Sequence, residues 1–113
     1  MSKLSKTEVV TSHGVIAVEE NSAHGPKVLF LHGNSTCRAV FRKQFMDDIL
    51  GSYHLIALDL PGHGESGDAV DPKRTYSRPG LADACLEVMA AMGIRSAVIV
   101  GWSLGGHIAI EML

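Results

Sequence analysis

Gly101-Trp102-Ser103-Leu104-Gly105 follows the apolar run Ala97-Val-Ile-Val100 and leads into a stretch from Leu104 to Leu113 with helical apolar spacing. The pattern is G-x-S-x-G set between a strand and a helix, and that setting is more informative than the three fixed positions. A serine on so sharp a turn takes a strained backbone, and side chains at positions 101 and 105 would collide as the helix folds back against the strand. Gly101 and Gly105 remove the collision and leave the Ser103 hydroxyl displayed at the turn; the alternative is an ordinary Gly-rich strand-to-helix turn with an idle serine. The backbone N–H of Leu104, first in the helix, then points to where an oxyanion would form, and the helix dipole adds to its effect.

Upstream, period-2 and period-3.6 apolar patterns alternate, which means an α/β architecture. Val9 to Thr11 and Val15 to Val18 flank Ser12-His13-Gly14 as a hairpin at the edge of the sheet. Lys27 to Leu31 and His54 to Leu58 are short apolar runs suited to buried strands. Between them Phe41, Phe45 and Ile49, with Val40 and Met46 beside them, predict a helix capped by Ser35 or Thr36 and stopped by Gly51. The polar segment from Gly67 to Arg74, with Pro72 inside it, reads as a surface loop. Leu81, Cys85, Val88, Met89 and Met92 mark another helical stripe, with Ser77 as cap, Pro79 in the first turn and Gly93 just past the end. No repeat, low-complexity tract or linker divides the chain, so residues 1–113 read as part of a single domain.

Composition narrows the function classes. Ten Lys+Arg against 12 Asp+Glu give a formal net charge of -2, which speaks against nucleic acid or an acidic membrane surface as partner. With 46% hydrophobic and 19% charged residues the chain can bury a core, and no apolar run approaches a membrane span. The opening Met1-Ser-Lys-Leu-Ser-Lys-Thr-Glu8 lacks the apolar stretch of a signal peptide, so the expected address is the cytoplasm. Cys37 and Cys85, far apart and outside any metal-ligand pattern, are expected as free thiols and small apolar fillers.

A tetrahedral oxyanion needs a second donor, and His32-Gly33-Asn34, after the strand ending at Leu31, is placed to supply it. Gly33 permits close approach, the Asn34 N–H would donate, and the Asn34 amide could hold a substrate carbonyl. His32 itself is expected as a packed, hydrogen-bonded strand-end residue rather than a catalyst. In order and spacing, Leu31-His-Gly-Asn34, Asp59-Leu-Pro-Gly-His-Gly-Glu-Ser66 and Gly101-Trp-Ser-Leu-Gly-Gly106 resemble the N-terminal portion of an α/β-hydrolase-fold serine hydrolase. More narrowly, Thr11-Ser-His-Gly14, His32-Gly-Asn-Ser35, Ala69-Val-Asp-Pro72, Tyr76-Ser77 and Gly101-Trp-Ser-Leu-Gly-Gly-His-Ile108 are similar to a metal-independent N-acyl homoserine lactonase of that fold.

The resemblance implies Ser103 as nucleophile, an oxyanion hole from Asn34 and Leu104, and Asn34 and Trp102 against the substrate, with neither metal nor organic cofactor. The substrate would be a lactone, or a carboxylic ester more broadly, and opening the lactone ring would quench quorum signals. Esterases and C–C hydrolases share the three motifs.

In this fold the triad acid and histidine follow the serine in the chain, yet the sequence ends at Leu113, ten residues on. His107 lies one helical turn from Ser103, but an elbow serine aims over the sheet while its helix runs beneath, so His107 is expected to pack. Asp59 and His63 are expected to support the turn after their strand. The chain alone is therefore expected to be nearly inactive, and its last strand to pair with a missing C-terminal half or with another copy.

Three rival readings remain. Gly62-His-Gly64-Glu-Ser-Gly67 fits the G-x-G-x-x-G dinucleotide pattern, but Pro61 precedes it and a polar loop follows where a helix should open. A metal-dependent lactonase needs a dense ligand cluster, whereas His13, His24, His32, His54, His63 and His107 are scattered along the sequence. A non-catalytic hydrolase-like fragment that binds a partner is the third.

Overall fold

The computed structural model describes residues 3–113; Met1 and Ser2, which begin the opening that lacks the apolar stretch of a signal peptide, lie outside the described residues. Strands β1 (Leu4–Thr11) and β2 (Gly14–Asn21) form the expected hairpin, each longer than the apolar pattern marks because polar residues continue the ladder to Leu4↔Asn21. β3 (Lys27–Leu31) and β4 (His54–Leu58) take the expected bounds, and β5 spans Val98–Gly101. The sheet order is β1-β2-β4-β3-β5, with β1 and β5 at the edges. β2 runs antiparallel to β4, while β3 runs parallel to both β4 and β5.

β3 and β4 are buried on both faces, as central parallel strands must be. Leu29, Leu31, Ile56 and Leu58 face one way, with Ile16 and Val18 of β2. They pack against Leu81, Cys85 and Val88 of α3 (Arg78–Ala91) and Ile108 of α4 (Leu104–Glu111), with Met89 and Met92 filling the margin. Ser77 caps α3 as expected, its side chain accepting the Gly80 N–H at 3.1 Å. Cys85 is fully enclosed in this core and burial pushes its thiol up to about 12, so it is an apolar filler.

Phe30, Leu55 and Ala57 face the other way, under Phe41 and Phe45, whose rings lie 5.0 and 5.7 Å from that of Phe30. The helix predicted over this segment is broken. A 3-10 turn at Arg38–Phe41 passes into one turn of α-helix, α1 (Arg42–Phe45), and a second 3-10 turn covers Leu50–Ser52 with Gly51 inside it. The cause is Asp47, whose carboxylate accepts the Ile49 N–H at 2.8 Å and offers the backbone an alternative to the helix ladder. Ile49 consequently turns outward, 81% exposed. Neither predicted cap operates: Thr36 Oγ1 donates to the Gly33 carbonyl at 2.9 Å, and Ser35 adopts φ +61°. The 67–74 loop is irregular except for one turn of helix, α2 (Pro72–Thr75). Among the described residues no helix is long and apolar enough to cross a membrane.

Candidate active site

β5 pairs with β3 through Gly101↔Leu31, and the Trp102 N–H continues the contact onto the Leu31 carbonyl at 3.0 Å. The chain then reverses at Ser103, whose φ of 56° and ψ of -116° place a non-glycine residue in a costly backbone region. A Cβ on Gly105 would stand 2.0 Å from the Leu31 carbonyl oxygen, and one on Gly101 would stand 2.3 Å from the Gly105 carbonyl oxygen. Both glycines are therefore demanded by backbone meeting backbone, where nothing can yield.

The turn leaves a donor unpaired. The N–H groups of Gly105, Gly106 and His107 bond to the carbonyls of Trp102, Ser103 and Ser103. That of Leu104, the first helical residue, has no acceptor among the described residues, as the opening N–H groups of a helix lack intrahelical partners. The loop after β3 lies alongside: a Cβ on Gly33 would meet Trp102 Cε3 at 3.1 Å and Ser103 Cβ at 3.4 Å. Asn34, next in that loop, is exposed, and among the described residues no acceptor takes its N–H. Ser103 and Trp102 are exposed as well. The structure thus brings Ser103, Leu104, Trp102 and the Gly33–Asn34 loop together at the C-terminal ends of β3 and β5. Among the described residues no side chain is hydrogen-bonded to the Ser103 hydroxyl, and His107 is exposed on α4.

His32, Asp59 and His63 serve the surrounding loops. His32 is fully buried and the hydrogen-bond partners of its ring are all backbone or hydroxyl; burial, chiefly, holds its imidazole below the ordinary value, the nearby His63 acting in the same sense. Asp59, also fully buried, accepts the Arg38 N–H at 2.8 Å and the Glu65 N–H at 2.9 Å and pairs with the Arg38 guanidinium. Gly64, at φ +51°, is required there, since a Cβ would stand 2.4 Å from the Asp59 carboxylate. Arg38 also binds Glu19 and Glu65, and these bonds outweigh its burial to hold the guanidinium charged. No sequence signal linked Arg38 or Glu19 to the 59–66 segment that holds Asp59 and Glu65, because their separations follow no helical or strand period.

The glycines of the G-x-G-x-x-G segment lie in this turn and open no helix, so they build no pyrophosphate site. The histidines are less scattered in space than in sequence. His13, in the hairpin turn, meets Asp83 at 2.7 Å and Glu87 at 3.5 Å on α3, but Arg74 stands 3.6 and 3.9 Å from the same two carboxylates and already balances their charge. A cavity of about 460 Å³, lined in part by Cys37, Arg38, Phe45 and Asp59, does not include Ser103, Trp102 or Asn34.

Comparison with known proteins agrees with this fold. A family model described as the alpha/beta hydrolase fold matches residues 26–113. The crystal structure of N-acyl homoserine lactonase AidH complexed with N-butanoyl homoserine superposes with a TM-score of 0.93 and 53% identity, covering 96% of this chain and 39% of that one. Pimeloyl-[acyl-carrier protein] methyl ester esterase of Xanthomonas campestris pv. campestris is 37% identical over 88 residues, 78% of this chain and 31% of that protein. AB hydrolase superfamily protein YisY of Bacillus subtilis is 29% identical over 105 residues, 93% of this chain and 38% of that protein. The chain therefore spans well under half the length of the relatives it matches, and over that span it belongs to the α/β-hydrolase-fold family.

Proposed function

We propose that this chain supplies the nucleophile and oxyanion hole of a serine hydrolase that opens lactones, N-acyl homoserine lactones above other esters. The observation that carries the reading is the strained Ser103 at the strand-to-helix turn, flanked by the N–H groups of Leu104 and Asn34, which no acceptor takes among the described residues. Ser103 Oγ attacks the lactone carbonyl carbon as its proton passes to a base, and the carbonyl oxygen gathers charge between the two N–H donors. Collapse breaks the bond to the ring oxygen, which leaves as a hydroxyl after taking a proton. Water then cleaves the acyl-serine ester, returning Ser103 and releasing the open-chain acid. Trp102 and the Asn34 side chain, both exposed beside Ser103, would line the substrate.

The likeness to the lactonase at 53% identity, against 37% for the methyl ester esterase, favours the lactone over a general ester. The base and its acid partner would come from residues beyond Leu113, in the chain order usual for this fold. The same C-terminal portion would pair with the free edge of β5 and cover Val98 and Val100, which are 61% and 39% exposed. In its absence that edge favours self-association.

Intact-mass labelling with a fluorophosphonate tests the reading, with Ser103→Ala as control. The folded 113-residue chain is expected to label slowly, and to label rapidly at Ser103 once the C-terminal portion is joined to it. Rapid labelling of the chain alone, lost in Ser103→Ala, would place a base within it. No adduct at Ser103 in the completed protein would end the assignment of the nucleophile.

A further inference from the structure

Two histidines exchange contacts between the loop after β3 and the loop after β4. His32, in the first loop, accepts the Leu60 N–H of the second at Nε2, 3.0 Å away, while its Nδ1 faces the Gly33 carbonyl oxygen at 2.7 Å. His63, in the second loop, accepts the Ser35 N–H of the first at Nε2, 3.1 Å away, while its Nδ1 faces the Pro61 carbonyl oxygen at 3.0 Å. A backbone N–H only donates and a carbonyl oxygen only accepts. The partners therefore fix both rings as neutral imidazoles carrying their proton on Nδ1. The ring centroids are 5.2 Å apart.

This clasp surrounds the Asn34 N–H. In a trans peptide the carbonyl oxygen and the following N–H point in opposite directions, so the Gly33 oxygen and the Asn34 N–H are two ends of one rigid plane. His32 Nδ1 and Thr36 Oγ1 both hold the Gly33 oxygen, which turns the Asn34 N–H outward. The next peptide is held by His63 through the Ser35 N–H, at a residue whose φ of +61° is not a resting conformation for serine.

We propose that His63 is a positioning residue for the Asn34 N–H, and that the His32–His63 clasp makes this positioning acid-sensitive. Protonation of His63 puts an N–H on Nε2 against the Ser35 N–H, two donors face to face, and the bond that holds the loop is lost. His32 is the titratable group facing His63; Asp59 and Glu65 are the charged groups of the same turn, and both are already paired with Arg38 from the 3-10 turn after β3. The catalytic meaning of the clasp rests on Asn34 being an oxyanion donor, as proposed above; its geometry and titration do not.

Nitrogen-15 NMR of the 113-residue chain tests it. At neutral pH both rings should carry the proton on Nδ1. On acidification, the amide resonances of Asn34 and Ser35 should move together with the ring signals of His63. In His63→Gln, whose side-chain oxygen can still accept from Ser35, that shared transition should disappear, and in His63→Ala the Ser35 amide should exchange at least about tenfold faster. A His63 proton on Nε2, or Asn34 and Ser35 amides that ignore the His63 titration, would overturn the proposal, and the wild-type titration decides this by itself. Because none of these signals depends on serine chemistry, Ser103→Ala should give the same titration. An inert Ser103 would then count against the function and leave the clasp standing.

Discussion

At the scale of single residues the serine turn holds a local contradiction. Ser103 sits at φ 56° and ψ -116°, where a side chain costs on the order of 1–3 kcal/mol. The surrounding backbone imposes that conformation, since the Trp102 N–H is held by Leu31 and the α4 N-terminus begins one residue later. Glycine adopts such angles without strain, though it also loosens the unfolded chain by roughly 0.4–1 kcal/mol. Ser103→Gly is therefore expected to raise the free energy of unfolding in urea by a net amount of about 1 kcal/mol and so shift the midpoint upward, whereas Ser103→Ala, which keeps the Cβ, should leave the midpoint nearly unchanged. Equal midpoints for the two variants would mean that the turn is relaxed and that its geometry stores nothing for function.

Among the elements, α3 is fastened to the hairpin by side chains distant in sequence. His13 is enclosed, with Nδ1 2.6 Å from Thr75 Oγ1 and Nε2 2.7 Å from Asp83. Ser12 in the same turn donates through N–H and hydroxyl to Glu87, and Arg74 bonds the Ser12 carbonyl at 3.1 Å. The Asp83 carboxyl is held below its usual range, first by the His13 bond. Removing the imidazole strands the buried Thr75 hydroxyl and opens a hole, so His13→Ala should cost about 2–3 kcal/mol in urea unfolding. A loss below about 0.5 kcal/mol would show that α3 keeps its place on the sheet without this fastening.

For the molecule as a whole, the buried histidine sets an acid limit. Burial depresses the folded His32 pKa, while in the unfolded chain it titrates near the ordinary value of about 6.5. Below that value the unfolded state binds the proton more readily, so stability from this group is complete above about pH 6.5 and falls as pH drops toward the folded pKa. The urea midpoint should accordingly decline from pH 7.5 to pH 5.5, and less steeply in His32→Gln than in the wild type. Identical slopes would assign the acid sensitivity elsewhere.

The sequence by itself determined the alternation of strands and helices, the bounds of β3 and β4, the Ser77 cap and the elbow with its two glycines. Each of these is dictated within a few residues: an apolar run too short for a helix, a cap oxygen three positions from its N–H, a turn too tight for side chains. Local pattern failed at Phe41 to Ile49, where the aromatic face is real but Asp47 draws the backbone out of the helix. It was also silent on the loops that present the site. Only the tertiary structure decided that Asp59 meets Arg38 and Glu65, that His13 meets Asp83, and that His32 and His63 clasp the Asn34 loop. Those partners lie on different turns around one sheet, and hydrogen bonds between loops carry no period for a sequence to display. The identity of Ser103 as a candidate nucleophile was thus readable from its neighbours, while the orientation of the donors beside it follows from where the sheet places β3, β4 and β5.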